Sequence, residues 1–97
     1  MTETGEARLK RMAMRSWRRG TKEMDLILGP FADAQLATLE PADLVLYDQL
    51  LEENDQELIK HILGQTAPPA HLAALVARIA AFARDRLMVA KAAKDQI

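Results

Sequence analysis

The chain contains no cysteine, and that absence removes disulfides, thiolate-bound zinc, iron–sulfur clusters and thiol catalysis together. Aromatic residues amount to 4%, with one Trp and one Tyr. Ala supplies much of the apolar content, and few positions are both β-branched and alternating, so the composition favours helices over strands. Neither sign of charge is in excess: 13 basic residues stand against 14 acidic ones, for a net charge of −1. Such a balance gives no general grip on nucleic acid, which needs a basic domain or face. Long apolar stretches are missing as well. The longest, Leu72 to Ala77, is far below the roughly 20 residues that a spanning helix needs, so no membrane insertion is expected. The acidic start, Met1 to Glu6, has no apolar core and no run of arginines, so it reads as neither a signal nor a transit peptide. A cytoplasmic location is the expectation. The four glycines are scattered, no Gly-rich phosphate loop exists, and no Ser, Thr or Lys sits in a nucleophile motif. An enzyme therefore has no support.

What is present is helical periodicity. Ninety-seven residues make a single domain, 1–97, with one modest core; residues 1–5 and about 92–97 read as frayed tails. A first helix is predicted from Glu6 to Arg18, with Leu9, Met12, Ala13 and either Trp17 or Ser16 facing inward. Its cationic end suits the negative pole of the helix dipole. Gly20 then stands where a helix C-terminus commonly needs positive φ. Thr21 can cap a second helix with Glu23 and Asp25 in its first turn and Met24, Ile27, Leu28 and Phe31 along one stripe. Gly29-Pro30 interrupts that stripe and predicts a kink or a split. Pro41 opens a third helix with Leu44, Tyr47, Leu50 and Leu51 inward. Asn54 to Glu57 opens a fourth in capping-box form, with Leu58, Ile59, Ile62 and Leu63 apolar and Gly64 closing it. After the Gln65–Pro69 linker, a fifth helix from about Ala70 to Lys91 or beyond carries Leu72, Leu75, Val76, Ile79, Phe82, Ala83 and Leu87. Five amphipathic segments with short connections make an all-α five-helix bundle.

His61 and His71 fall on different elements without a metal-ligand motif, so a solvated helix face explains them better than metal. The acidic cluster Glu52 to Glu57 reads as a capped turn, with an acidic rim for a basic partner as the other reading. The basic first helix (Arg8, Lys10, Arg11, Arg15, Arg18, Arg19) suggests a nucleic-acid-binding or antitoxin-like module. The near-neutral total and the lack of a helix-turn-helix pattern oppose it.

Six of the eleven side chains from Arg15 to Asp25 are charged, around the only Trp and one glycine. Arg15-Ser16, then Arg19-Gly20-Thr21-Lys22-Glu23-Met24-Asp25, resembles the R-S-x-x-R-G-x-x-E-x-D signature of the SdhE family. Leu28 to Phe31, Leu46 to Leu51 and Glu53 to Leu58 are similar to that family's later blocks. The likeness covers about residues 8–84, departing at Met14, often aromatic in the family, and at His61, near a position often occupied by Trp.

The resemblance implies a small five-helix assembly factor, not an enzyme. Its partner would be the flavoprotein subunit of succinate dehydrogenase and, in bacteria, the homologous fumarate reductase subunit. Covalent attachment of FAD to a histidine of that subunit would be autocatalytic, with the factor holding the subunit in a competent conformation. The factor would then have no cofactor of its own. On this basis Arg19, Gly20 and Glu23 are the expected partner-binding residues, with Arg15, Arg18 and Lys22 extending the surface and Arg11 joining it. Gly20 would let the partner approach the backbone, and Arg19 and Glu23 would offer opposite charges side by side.

Overall fold

The computed structural model describes the backbone of residues 3–95 and the side chains of residues 3–86. Five α-helices follow one another: α1 (Gly5–Trp17), α2 (Lys22–Gln35), α3 (Pro41–Leu50), α4 (Asp55–Ile62) and α5 (Ala73–Asp95). Short 3-10 turns at Leu36–Thr38 and Ala70–Leu72 lead out of α2 and into α5. The all-α five-helix reading is therefore correct. The predicted core position Leu87 and all of the expected C-terminal tail, about 92–97, lie outside the described side chains.

Each helix start is built from the residues that the sequence offers. Thr4 accepts from the Ala7 N–H, so α1 begins one residue earlier than expected. Thr21 accepts from the Met24 N–H, and Pro41 opens α3. Asn54 accepts from the N–H groups of Gln56 and Glu57. The Thr4, Thr21 and Asn54 side chains satisfy donors that have no partner within their helix. The end of α4 is equally local. Gly64 has φ of 78°, its N–H donates to the His61 carbonyl, and the next N–H, of Gln65, reaches the Lys60 carbonyl. That pair of bonds is a Schellman ending, which needs the left-handed residue that glycine supplies.

One expectation about α2 needs correction. The helix continues through Pro30 from Lys22 to Gln35 and is not split. Proline cannot donate to the Leu26 carbonyl one turn back, and that carbonyl instead accepts from the Arg86 guanidinium at 3.3 Å. Gly29 is buried, and a Cβ there would lie 2.3 Å from the Trp17 indole. The glycine thus makes room for the ring to lie on the helix.

The core runs through all five helices. Met12, Met24, Leu28, Phe31, Tyr47, Leu50, Leu58 and Ile79 are fully or almost fully buried. Phe31 of α2 stacks on Tyr47 of α3 at 5.7 Å and meets Phe82 of α5 edge-on at 5.6 Å. The Tyr47 hydroxyl lies 2.6 Å from Ser16 Oγ, which in turn reaches the Met12 carbonyl at 2.8 Å. Ser16 is therefore the inward residue of α1, while Trp17 is 40% exposed and donates to the Asp33 carboxylate. Burial pushes the Tyr47 phenol up to about 12. Leu63, one of the apolar members of α4, is exposed at the helix's C-cap.

Candidate functional site: a charge ladder and an exposed turn

Arginines at 11, 15 and 19 recur every four residues, so they leave α1 and its C-terminal extension on nearly one face. Asp48 on α3, Glu52 in the turn after it and Asp55 at the start of α4 form a second row, spaced by four and then three residues. The structure zips the two rows together. Arg11 makes a two-pronged contact with Asp48 at 2.9 and 2.8 Å. Arg15 Nη1 donates to Glu52 at 2.8 Å, and Arg19 Nε to Asp55 at 2.8 Å. The rungs ascend together, so α1 and α3 run the same way. Arg11 also holds Glu3, at 2.8 Å, and its guanidinium keeps both Glu3 and Asp48 below the usual carboxylate range.

The last rung differs from the others in burial. The Arg19 side chain is 8% exposed and that of Asp55 19%, whereas the Arg15 and Glu52 side chains stand at 36% and 72%. Arg19 Nη1 donates to the Leu51 carbonyl at 2.6 Å, and Nη2 to the Glu53 carbonyl at 2.8 Å. These carbonyls lie just past the end of α3, where no intrahelical donor remains and the helix dipole favours a cation. Asp55 is the first residue of α4, where the dipole favours an anion. Arg19 therefore plugs the joint between two helices, with all three kinds of its nitrogen engaged.

The same joint fixes the turn between α1 and α2. Asp55 Oδ2 accepts from the Gly20 N–H at 3.1 Å, and Asp25 Oδ1 accepts from the Arg19 N–H at 2.6 Å. Gly20 does not have positive φ, contrary to expectation; Gly64 is the described glycine in that region. The reason for glycine at position 20 lies in space instead. A Cβ there would stand 3.3 Å from Asp55 Oδ2, tight against the carboxylate that its own N–H binds.

Among the expected site residues, then, Arg11, Arg15 and Arg19 are held by acids of the chain itself. Arg18, Gly20, Lys22 and Glu23 are exposed. Among the described residues, Arg18, Lys22 and Glu23 have no ion-pair partner. Arg19 and Glu23 are not brought side by side: one turns into the α3–α4 joint and the other outward. Sequence reasoning missed Asp48, Glu52 and Asp55 as partners. Their near-helical spacing, four and then three residues against four and four for Arg11, Arg15 and Arg19, was the available signal.

Beside the ladder, Arg11, Met14, Arg15, Arg18, Arg19 and Asp55 line an open groove of about 460 Å³. Among the described residues no group of three or more His, Cys, Asp or Glu is arranged to hold a metal ion. No helix there is long and apolar enough to cross a membrane.

The sequence pattern of the family described as "Flavinator of succinate dehydrogenase" matches residues 10–83, spanning the ladder, the turn and the core of α5. The chain belongs to this family. It is 33% identical over 72 residues to succinate dehydrogenase assembly factor 2, mitochondrial, of Mycosarcoma maydis, covering 74% of this chain and 30% of that protein. The Schizosaccharomyces pombe protein of the same name is 37% identical over 67 residues, 69% of this chain and 48% of the relative. The FAD assembly factor SdhE of Shewanella oneidensis is 36% identical over 63 residues, 64% of this chain and 77% of the relative. The chain thus spans less than half the length of these mitochondrial relatives. No solved structure matches it.

Proposed function

We propose that this flavinator-family chain binds the flavoprotein subunit of succinate dehydrogenase and promotes its covalent attachment of FAD. The observation that best supports this reading is the exposed turn carrying Gly20, Lys22 and Glu23 on a joint locked by Arg19 and Asp55. A turn fixed before contact loses little conformational freedom on binding, so more of its interaction energy goes to the partner's conformation. Holding the acceptor histidine and the flavin in register would accelerate bond formation without a catalytic group from this chain. The reading makes the chain an assembly factor with no cofactor of its own, acting in the cytoplasm. Where a homologous fumarate reductase flavoprotein is present, it would be a second client.

Within this reading Glu23 is the cleanest probe, because it is exposed and holds no other described residue in place. In cells lacking their own factor, the flavoprotein subunit is expressed alone, with the wild-type chain, and with Glu23→Ala. Flavin fluorescence of the denatured subunit on a gel should rise with the wild type and stay near the factor-free level with the variant. Equal fluorescence in all three lanes would exclude the proposed function for this client.

A further inference from the structure

The groove beside the ladder holds four arginines, yet it is not a strongly cationic surface. Arg11 is matched by Asp48 and Glu3, Arg15 by Glu52, and Arg19 by Asp55, which itself lines the groove. Each pair cancels most of its own far field, which salt then screens further. What remains for a visitor is apolar. Met14 is 47% exposed, and the three-carbon stems of arginines whose heads are pinned elsewhere flank it. Met14 and Arg18 stand four residues apart, so they lie on one stripe of α1 and its extension. Among the described residues, Arg18 is the one arginine of the lining without an acidic partner.

We infer that this groove seats one apolar side chain of the partner, flanked there by a carboxylate that meets the Arg18 guanidinium. The occupant rests on the proposed function and is a segment of the flavoprotein subunit. Charge complementarity sets the chemistry of that segment. The paired walls turn their arginine stems, not free charges, toward an apolar side chain, and a single uncompensated cation at the rim calls for a single anion. At about 460 Å³ the open groove has room for an apolar side chain and the carboxylate beside it. A flexible thioether suits such a seat, because methionine adapts to the shape of what it meets. The arginines of the ladder then shape the seat with their stems, and their charges serve the fold.

The test measures affinity of the full chain for the purified flavoprotein subunit at low and high salt, alongside the flavinylation assay. Met14→Asp should weaken binding by at least about tenfold, as loss of a central anchor does, whereas Met14→Phe should stay within about threefold of the wild type. Arg18→Glu should weaken binding and remove most of whatever salt dependence the wild type shows. Circular dichroism of each variant should match the wild type, since both side chains are exposed. Wild-type binding that Met14→Asp leaves unchanged would overturn the inference while leaving the proposed function standing. So would a steep salt dependence that persists in Arg18→Glu, which would make the groove a cationic surface after all. Self-association of the wild type through Met14 would overturn it by making a second copy the occupant. If the wild type neither binds the subunit nor raises its fluorescence, the functional reading fails and takes this occupant with it.

Discussion

Replacing Asp55 by Ala would leave the nearly buried Arg19 guanidinium with two carbonyl acceptors and no counter-charge, and would free the Gly20 N–H. Breaking a buried pair typically costs 3–5 kcal/mol, and the surviving carbonyls place Asp55→Ala near the lower end, at about 3 kcal/mol. Glu52→Ala removes an exposed rung and should cost no more than about 1 kcal/mol. Urea denaturation followed by circular dichroism separates the two; equal losses would mean that the Arg19 joint contributes no more than a surface pair. Tyr47 offers a second check at this scale. Its folded pKa, about 12, is raised above the unfolded value of 10.0 by burial, so its contribution to stability is complete below pH 10 and disappears as pH climbs through 12. Because it is the only tyrosine, tyrosinate absorbance reports it alone. Ionisation near pH 10 with the helices still intact would contradict its burial. Residue identity told where charges were concentrated, and it placed Glu23 in the first turn of a helix. It did not tell which way each charge turns. Arg19 and Glu23 look equivalent in an Arg-Gly-x-x-Glu pattern, and only the position of residues more than thirty places away sends one inward.

Among the elements, α2 carries the sharpest disagreement between pattern and structure. Gly29-Pro30 reads as a kink or a split, yet the helix runs on unsplit: Trp17 fills the space above Gly29, and Arg86 takes up the carbonyl that Pro30 leaves. Both compensations come from other helices, beyond what local periodicity encodes. Caps and stripes, by contrast, are local, which is why Thr21, Pro41, Asn54 and Gly64 were legible in advance. The Gly29–Trp17 contact makes a prediction with a change of sign. Gly29→Ala alone should displace the indole, shift the emission of the single tryptophan, and destabilise by about 1–2 kcal/mol. In a Trp17→Ala background the clash is gone, and the same change should stabilise by up to about 1 kcal/mol, as Gly→Ala does inside helices. Thermal melts of the four proteins of this cycle decide it; additive effects would show that the two residues do not press on each other.

For the molecule as a whole, the ladder matters most for how the basic first helix is perceived from outside. Three of its six cations face acids of the same chain, and the total charge is −1. A gel shift on duplex DNA at moderate salt should therefore show no complex; a retarded band that fades with rising salt would restore the nucleic-acid reading.

The Arg19 lock also ties the molecule's behaviour to the order in which its parts are made. The turn that displays Glu23 precedes its clamp in the chain: Leu51, Glu53 and Asp55, which hold it, come 32 to 36 positions after Arg19. During synthesis the display segment is out of the ribosome well before its clamp. A half-made chain consequently has the signature residues without their fixed geometry, and gains the shape that a client would recognise only once the start of α4 has emerged and folded back. The fixed shape of the turn thus depends on the start of α4, and a copy truncated before Asp55 would carry the turn without its lock.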